Sequence, residues 1–191
     1  MQRRAAIFHP RRLCNMKNVA FMTLGVLQQP DNHPQSQGFV ERAESVYADA
    51  ESFEGFVARF PEDFESGASW HLPRPALFHS EEYAGRLAIS LTIWRDLESV
   101  FAYSYSGPHS EALGRRKDWF IKPRWPSYVA WWIDAGHLPT RLDAYARYDH
   151  LCGHGATPEA FDFRTAFGPD GTATVVDMAR ARQTMNRRVE A

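Results

Sequence analysis

The chain has only two cysteines in 191 residues, Cys14 and Cys152, too few for a disulfide framework and without zinc-ligand spacing. Both read as free thiols of a reducing compartment. No apolar run reaches the roughly 18 residues that a membrane span needs. The N-terminus lacks the continuous apolar stretch of a secretory signal. Excess charge is also lacking: the net charge of −1 argues against nucleic acid as a partner. There is no Gly-rich phosphate loop, no dinucleotide fingerprint and no nucleophile elbow, so kinase, dehydrogenase and hydrolase readings fall away. The expected location is cytoplasmic. Residues 1–17, with Arg3, Arg4, Arg11, Arg12, Lys17 and no acid, read as a loosely ordered basic tail, and they also suit a mitochondrial presequence.

What is present is apolar and aromatic: 44% hydrophobic residues, 14% of the chain aromatic, ample for a packed core. The length suits one domain with extensions. Val19 to Gln28 reads as a strand, Gln29 to Gln37 as a loop, and Phe39, Val40, Ala43, Val46, Tyr47 and Ala50 as the apolar face of a helix. A short strand over 55–60 precedes a Pro-, Gly- and acid-rich excursion at 61–83. Arg86 to Trp94 alternates cleanly, with Leu87, Ile89, Leu91 and Ile93 on one face. Asp96 caps a following helix, and Gly107-Pro108 starts another, expected to run to Trp119. Tyr128 to Ile133 is a strand. Thr140 and Asp143 make a capping-box start for a helix ending near Gly153. Phe161-Asp162-Phe163 reads as an edge strand, and 174–191 as a basic terminal helix.

This order opens as βαββαβ, the ferredoxin-like α+β layout of an antiparallel sheet with helices on one face. Both sides of residues 87–94 and 128–133 carry large apolar groups, so the second face of the sheet also needs a cover. A second copy would supply one, giving a homodimer that pairs through its sheets as a dimeric α/β barrel. The expected domain spans 18–168 with the excursion inserted, followed by an extension at 169–191 that is partly helical.

Four segments carry a family likeness: Trp94-Arg95-Asp96-Leu97, His109 to Trp119-Phe120, Trp131-Trp132 to Gly136-His137-Leu138-Pro139-Thr140, and Gly155 to Phe163. In motif order they resemble a domain-of-unknown-function family of the dimeric α/β-barrel superfamily, which also holds the antibiotic-biosynthesis monooxygenases. The resemblance covers about residues 18–165. It implies a pocket between sheet and helices but no settled reaction: relatives include cofactor-free oxygenases of aromatic polyketides, haem proteins, and small isomerases or cyclases.

The candidate residues lie mostly between Trp94 and Thr140. On a helix from Pro108, His109 shares a face with Leu113, Arg116 and Phe120. An imidazole beside an arginine can deprotonate a phenol or enol and hold the resulting anion. His109 and Arg116 are therefore the expected catalytic pair, with His137 at the strand-to-helix turn. Trp94, Tyr103, Tyr105, Phe120, Trp131 and Trp132 are the expected substrate walls, although adjacent Trp131 and Trp132 must face opposite sides of a strand. Each of these aromatics is equally at home in a core. No metal site is expected. The first reading is a cofactor-independent monooxygenase of a small hydrophobic or aromatic molecule. The others are a haem protein with His109 as axial ligand, a non-oxidative cyclase or isomerase, and a non-catalytic binding protein.

Overall fold

In the computed structural model, which describes residues 16–60 and 74–189, the apolar run after Lys17 becomes the inner strand of a four-stranded sheet. β1 (Lys17–Val26) lies between β3 (Leu87–Trp94) and β4 (Tyr128–Asp134), antiparallel to both. β2 (Phe56–Arg59) pairs with β3 at one edge, giving the order β2-β3-β1-β4. With the helices between β1 and β2 and between β3 and β4, this is the expected ferredoxin-like layout. Strand alternation sorts the core into two layers. Ala20, Met22, Leu24, Leu87, Leu91, Ile93, Val129, Trp131 and Ile133 share one; Val19, Phe21, Trp94 and Ala130 share the other.

α1 (Pro34–Ser52) begins five residues before the first apolar residue of its periodic face, inside the segment expected to be a loop. Pro34 suits the first turn because it has no N–H to satisfy. The His33 side chain caps the helix by accepting from the Gln35 N–H. α2 (Leu97–Ser104) starts at Asp96, whose carboxylate accepts from the Ser99 N–H at 2.8 Å. The single helix expected over 108–119 is two: α3 (Gly107–Gly114) and α4 (Arg116–Trp119). Gly114 is a poor helix former, and the backbone leaves the helix at Arg115 (φ −94°, ψ 2°). That turn brings buried Trp119 to α1, beside Phe39.

α5 (Arg141–His154) opens with the expected capping box: Thr140 and Asp143 satisfy each other's backbone N–H groups. Thr140→Ala is expected to cost about 1 kcal/mol, read as a shift in the urea midpoint at constant slope. α5 lies on the sheet face away from α1 and α2 and packs Ala144, Tyr145, Tyr148 and Leu151 into the first core layer. A turn at Ala76–Phe78 adds Phe78, which packs edge-on to Tyr83 and Trp125. The face on which the expectation of a second copy rests therefore carries a cover from its own chain. Toward β2 that cover thins, and Ala58, Phe60 and Ile89 are only partly buried.

The other layer is closed by α1, α2 and the C-terminal segment. Phe161 forms a single bridge with Ala130 in place of the expected edge strand. β5 (Ala166–Phe167) and β6 (Ala173–Thr174) form a small hairpin, and α6 (Met178–Val189) packs along α2. No helix among the described residues is long and apolar enough to cross a membrane. Of the tail expected at 1–17, residues 1–15 lie outside the described residues and Lys17 already belongs to β1; of the excursion expected at 61–83, residues 61–73 lie outside them.

Candidate functional site

The aromatic residues expected to wall a pocket mostly fill the space instead. Trp94 is fully buried, stacks on Tyr103 at 5.0 Å, and meets Phe53 and Phe56 edge-on. Its indole N–H donates to Thr92 Oγ1 at 2.9 Å. The Tyr103 hydroxyl donates to the Val46 carbonyl at 2.9 Å. Burial pushes its ionisation far above the usual tyrosine range, so it is a fixed neutral phenol. Trp131 belongs to the opposite layer under α5, while the Trp132 indole donates to the Phe167 carbonyl at 2.6 Å. Phe120 lies over Gly25, where any side chain would collide with its ring, and packs edge-on to Phe39 at 5.0 Å. Tyr105 is half-exposed beside Phe101. The sequence marks these residues as large and apolar; it does not say that they contact one another.

The expected His109/Arg116 face does not form, because the helix break at Arg115 falls between them. Arg116 is exposed and donates to the Leu113 carbonyl at 2.8 Å. His137 is exposed on the turn after β4, its backbone N–H bonded to the Asp134 carbonyl. β3 and β4 both run antiparallel to β1, so they end at the same end of the sheet. From there α2, about 12 Å long, carries the chain on to α3 and His109. His137 and His109 therefore belong to separate parts of the fold.

What surrounds His109 is a different set of groups. Its Nδ1 lies 2.8 Å from the Ser104 carbonyl, the last of α2. A carbonyl only accepts, so Nδ1 carries the proton and Nε2 keeps its lone pair. Among the described residues no hydrogen bond engages Nε2. The ring lies 5.0 Å from that of Tyr103. Burial holds the imidazole pKa below its ordinary value, against the opposing pull of the Ser104 bond and the nearby Asp49 charge. His109 is thus a neutral base at neutral pH.

Asp49, on α1, is paired with Arg188, near the end of α6. Both side chains are less than one-fifth exposed, and Asp49 Oδ2 is buried with no hydrogen-bond partner. Arg188 Nη1 donates to Ser106 Oγ at 3.0 Å, and its guanidinium lies 5.3 Å from the Phe53 ring centre. Gly107, at φ +50°, gives it room: a Cβ there would collide with the guanidinium. Asp49 and Arg188 are 139 positions apart, and nothing in their spacing joins them. The available signals were Gly107 and the paired Arg187-Arg188 in the basic terminal helix.

Among the described residues no group of three His, Cys, Asp or Glu is placed to hold a metal ion. His109 has the backbone-anchored Nδ1 and free Nε2 of an axial haem ligand. The groups shown beside it, the Tyr103 phenol and the Asp49 charge, are polar and do not match the flat apolar faces that hold a haem. An open groove of about 650 Å³ runs along α1 past Val40, Glu44 and Tyr47 to Arg59. There Arg59 pairs with Glu51 and lies over the Tyr47 ring.

No curated protein matches the chain. Similar solved structures include a protein of unknown function from Nitrosomonas europaea, with 12% identity and a TM-score of 0.41, covering 66% of this chain and 98% of that one. A conserved protein from Methanosarcina mazei Go1 has 13% identity and a TM-score of 0.40, covering 63% and 94%. A candidate antibiotic biosynthesis monooxygenase from Nitrosomonas europaea has 8% identity and a TM-score of 0.41, covering 66% and 96%. The model of one family, described as a domain of unknown function, DUF3291, matches residues 18–177. With that match running from β1 to the last residue before α6, the chain belongs to the DUF3291 family.

Proposed function

We propose that this protein is an acid–base enzyme acting on a small aromatic or enolic molecule, with His109 Nε2 as the base. The observation that carries the reading is the state of that imidazole: anchored through Nδ1, neutral, half-buried and unengaged at Nε2. Base removal of a proton from an activated CH₂ gives an electron-rich carbanion. In the oxygenase form of the reaction O₂ attacks that carbon. One oxygen atom is retained as a ketone, and the other leaves as water with the two hydrogens of the CH₂. A cyclase or isomerase would use the same base without the oxygen step.

The test uses an anthrone-type substrate, with O₂ uptake and quinone absorbance as readouts. His109→Ala is expected to lower kcat by about 100-fold or more; unchanged turnover removes the mechanism and leaves His109 as a cap on the end of α2. Anaerobic exchange of the substrate CH₂ in D₂O separates proton abstraction from the oxygen step. The sign of the pH dependence follows from the depressed imidazole. Activity is lost as pH falls through the folded-state pKa, so the acid limb of kcat/KM should have its midpoint below 6.5. The unfolded chain binds that proton at higher pH than the folded one, so His109 also subtracts stability as pH falls through the same window.

We also propose that two copies pair through the β2–β3 half of the sheet face, where Ala58, Phe60 and Ile89 are incompletely covered. Light scattering of wild type and Ile89→Asp decides this: a dimer that the substitution leaves intact is held elsewhere.

A further inference from the structure

We infer that the polar cluster beside His109 is a binding site for a small carboxylate- or phenolate-bearing aromatic molecule, and that Arg188 of α6 is its anion-binding residue, held in reserve by Asp49. The inference deepens the proposed function and rests on the same site, but its evidence is independent of any turnover.

The ion pair is built poorly for a merely structural tie. Asp49 engages Arg188 while its other oxygen is buried without a hydrogen bond. A carboxylate taken out of water and left half satisfied offsets much of what the pairing contributes. The arginine, by contrast, is well placed. Its guanidinium is braced by Ser106 Oγ and lies over Phe53, in the space left by Gly107. A guanidinium presents a planar fork of donors that matches a carboxylate. An incoming carboxylate can take that fork from Asp49, with the rings of Phe53, Tyr103 and His109 beside it.

The element that supplies Arg188 is the last helix among the described residues, α6. α6 lies beyond residue 177, outside the part of the chain that matches the family. Its packed face is short, with Ala181 and Thr184 buried. Its other ties are ion pairs, Arg180 with the largely buried Asp96 and Glu98, and Arg187 with Glu54 on the surface. The exposed Arg187–Glu54 pair contributes little, so the last turn of α6, which carries Arg188, is held less firmly than the turn that carries Arg180. The family's fold thus brings the base, and the added helix brings the cation.

The probes are benzoate and its neutral isostere benzamide, titrated calorimetrically against the full-length protein at fixed ionic strength. Benzoate is expected to saturate a single site and benzamide not to. Arg188→Gln should weaken benzoate at least about tenfold, while Arg187→Gln, which loses the Glu54 pair and a bond to Thr184 but no group of the site, should leave it unchanged. Asp49→Asn should tighten benzoate, because it removes the competing charge. That opposite sign is what a structural ion pair does not give, since losing either partner would then harm binding alike. No saturable benzoate binding in the wild type, wild-type affinity in Arg188→Gln, or weaker binding in Asp49→Asn each overturns the inference. If Arg188→Gln fails to fold, Arg188→Lys keeps the charge without the fork and should bind benzoate more weakly than wild type; equal affinity overturns it. Benzoate binding with these signs in a protein whose turnover ignores His109→Ala leaves the anion site standing and removes only the base.

Discussion

Trp94→Ala should lower the unfolding free energy by about 3–5 kcal/mol, near the top of the range for one core substitution. Trp94 is completely buried at the end of β3, and three aromatic rings meet it: Tyr103 stacked, Phe53 and Phe56 edge-on. Alanine leaves a void between the sheet and the helices α1 and α2. These elements relax only partly, because β3 is held on both sides by β1 and β2. The substitution also removes the donor from Thr92 Oγ1, whose own hydroxyl donates to the Phe21 carbonyl. Against a typical total of about 5–15 kcal/mol, such a loss decides whether the domain stays folded near body temperature. Urea unfolding followed by circular dichroism measures it. Trp94→Phe, which keeps most of the ring volume, should lose much less. If Trp94 instead walls a ligand pocket in solution, Trp94→Ala will cost about as little as a surface change, within roughly 0.5 kcal/mol.

The second large effect is expected from Tyr148→Ala, again about 3–5 kcal/mol, and it reads out the other sheet face. Tyr148 is fully buried in α5 against Phe78, and its hydroxyl donates to the Pro126 carbonyl at 2.7 Å. Removing it loosens the cover that α5 places over Met22, Val129 and Trp131. Exposed apolar area of that kind promotes self-association, so sedimentation velocity should show the variant forming larger species. Tyr148→Phe keeps the packing and loses only the hydrogen bond, at about 1 kcal/mol. Equal losses for the two variants would mean that α5 is held by that bond and not by its packed face.

Local rules carried the sequence reading where one short-range signal was enough. The alternation of Leu87 to Trp94, the Asp96 cap and the Thr140/Asp143 capping box are each a few residues long, and each is where it was expected. His33-Pro34 was misread because proline punctuates loops and starts helices with the same stiffness. The break at Arg115 was missed because helical spacing places His109 and Arg116 together only while the helix stays straight. The pairing of Asp49 with Arg188 had no local signal at all. It follows from α6 lying on α2, a packing of Ala181 and Thr184 between segments far apart in the chain. The aromatic density around Trp94 suits a core and a pocket equally, and only the ring contacts of Trp94 with Phe53, Phe56 and Tyr103 assign it to the core.

The position of β1 also has a consequence for how the chain is made. It leaves the ribosome before either of its neighbours: Val19 ends up between Trp94 and Trp132. Until those distant segments are synthesised, an apolar stretch with two unpaired backbone edges waits without shelter. Sheet closure is then governed by long loops and not by local turns, which makes folding slow and leaves the nascent chain prone to sticking to other chains. Folding yield at high expression temperature should therefore be limited by the time that β1 spends alone, more than by the stability of the finished domain.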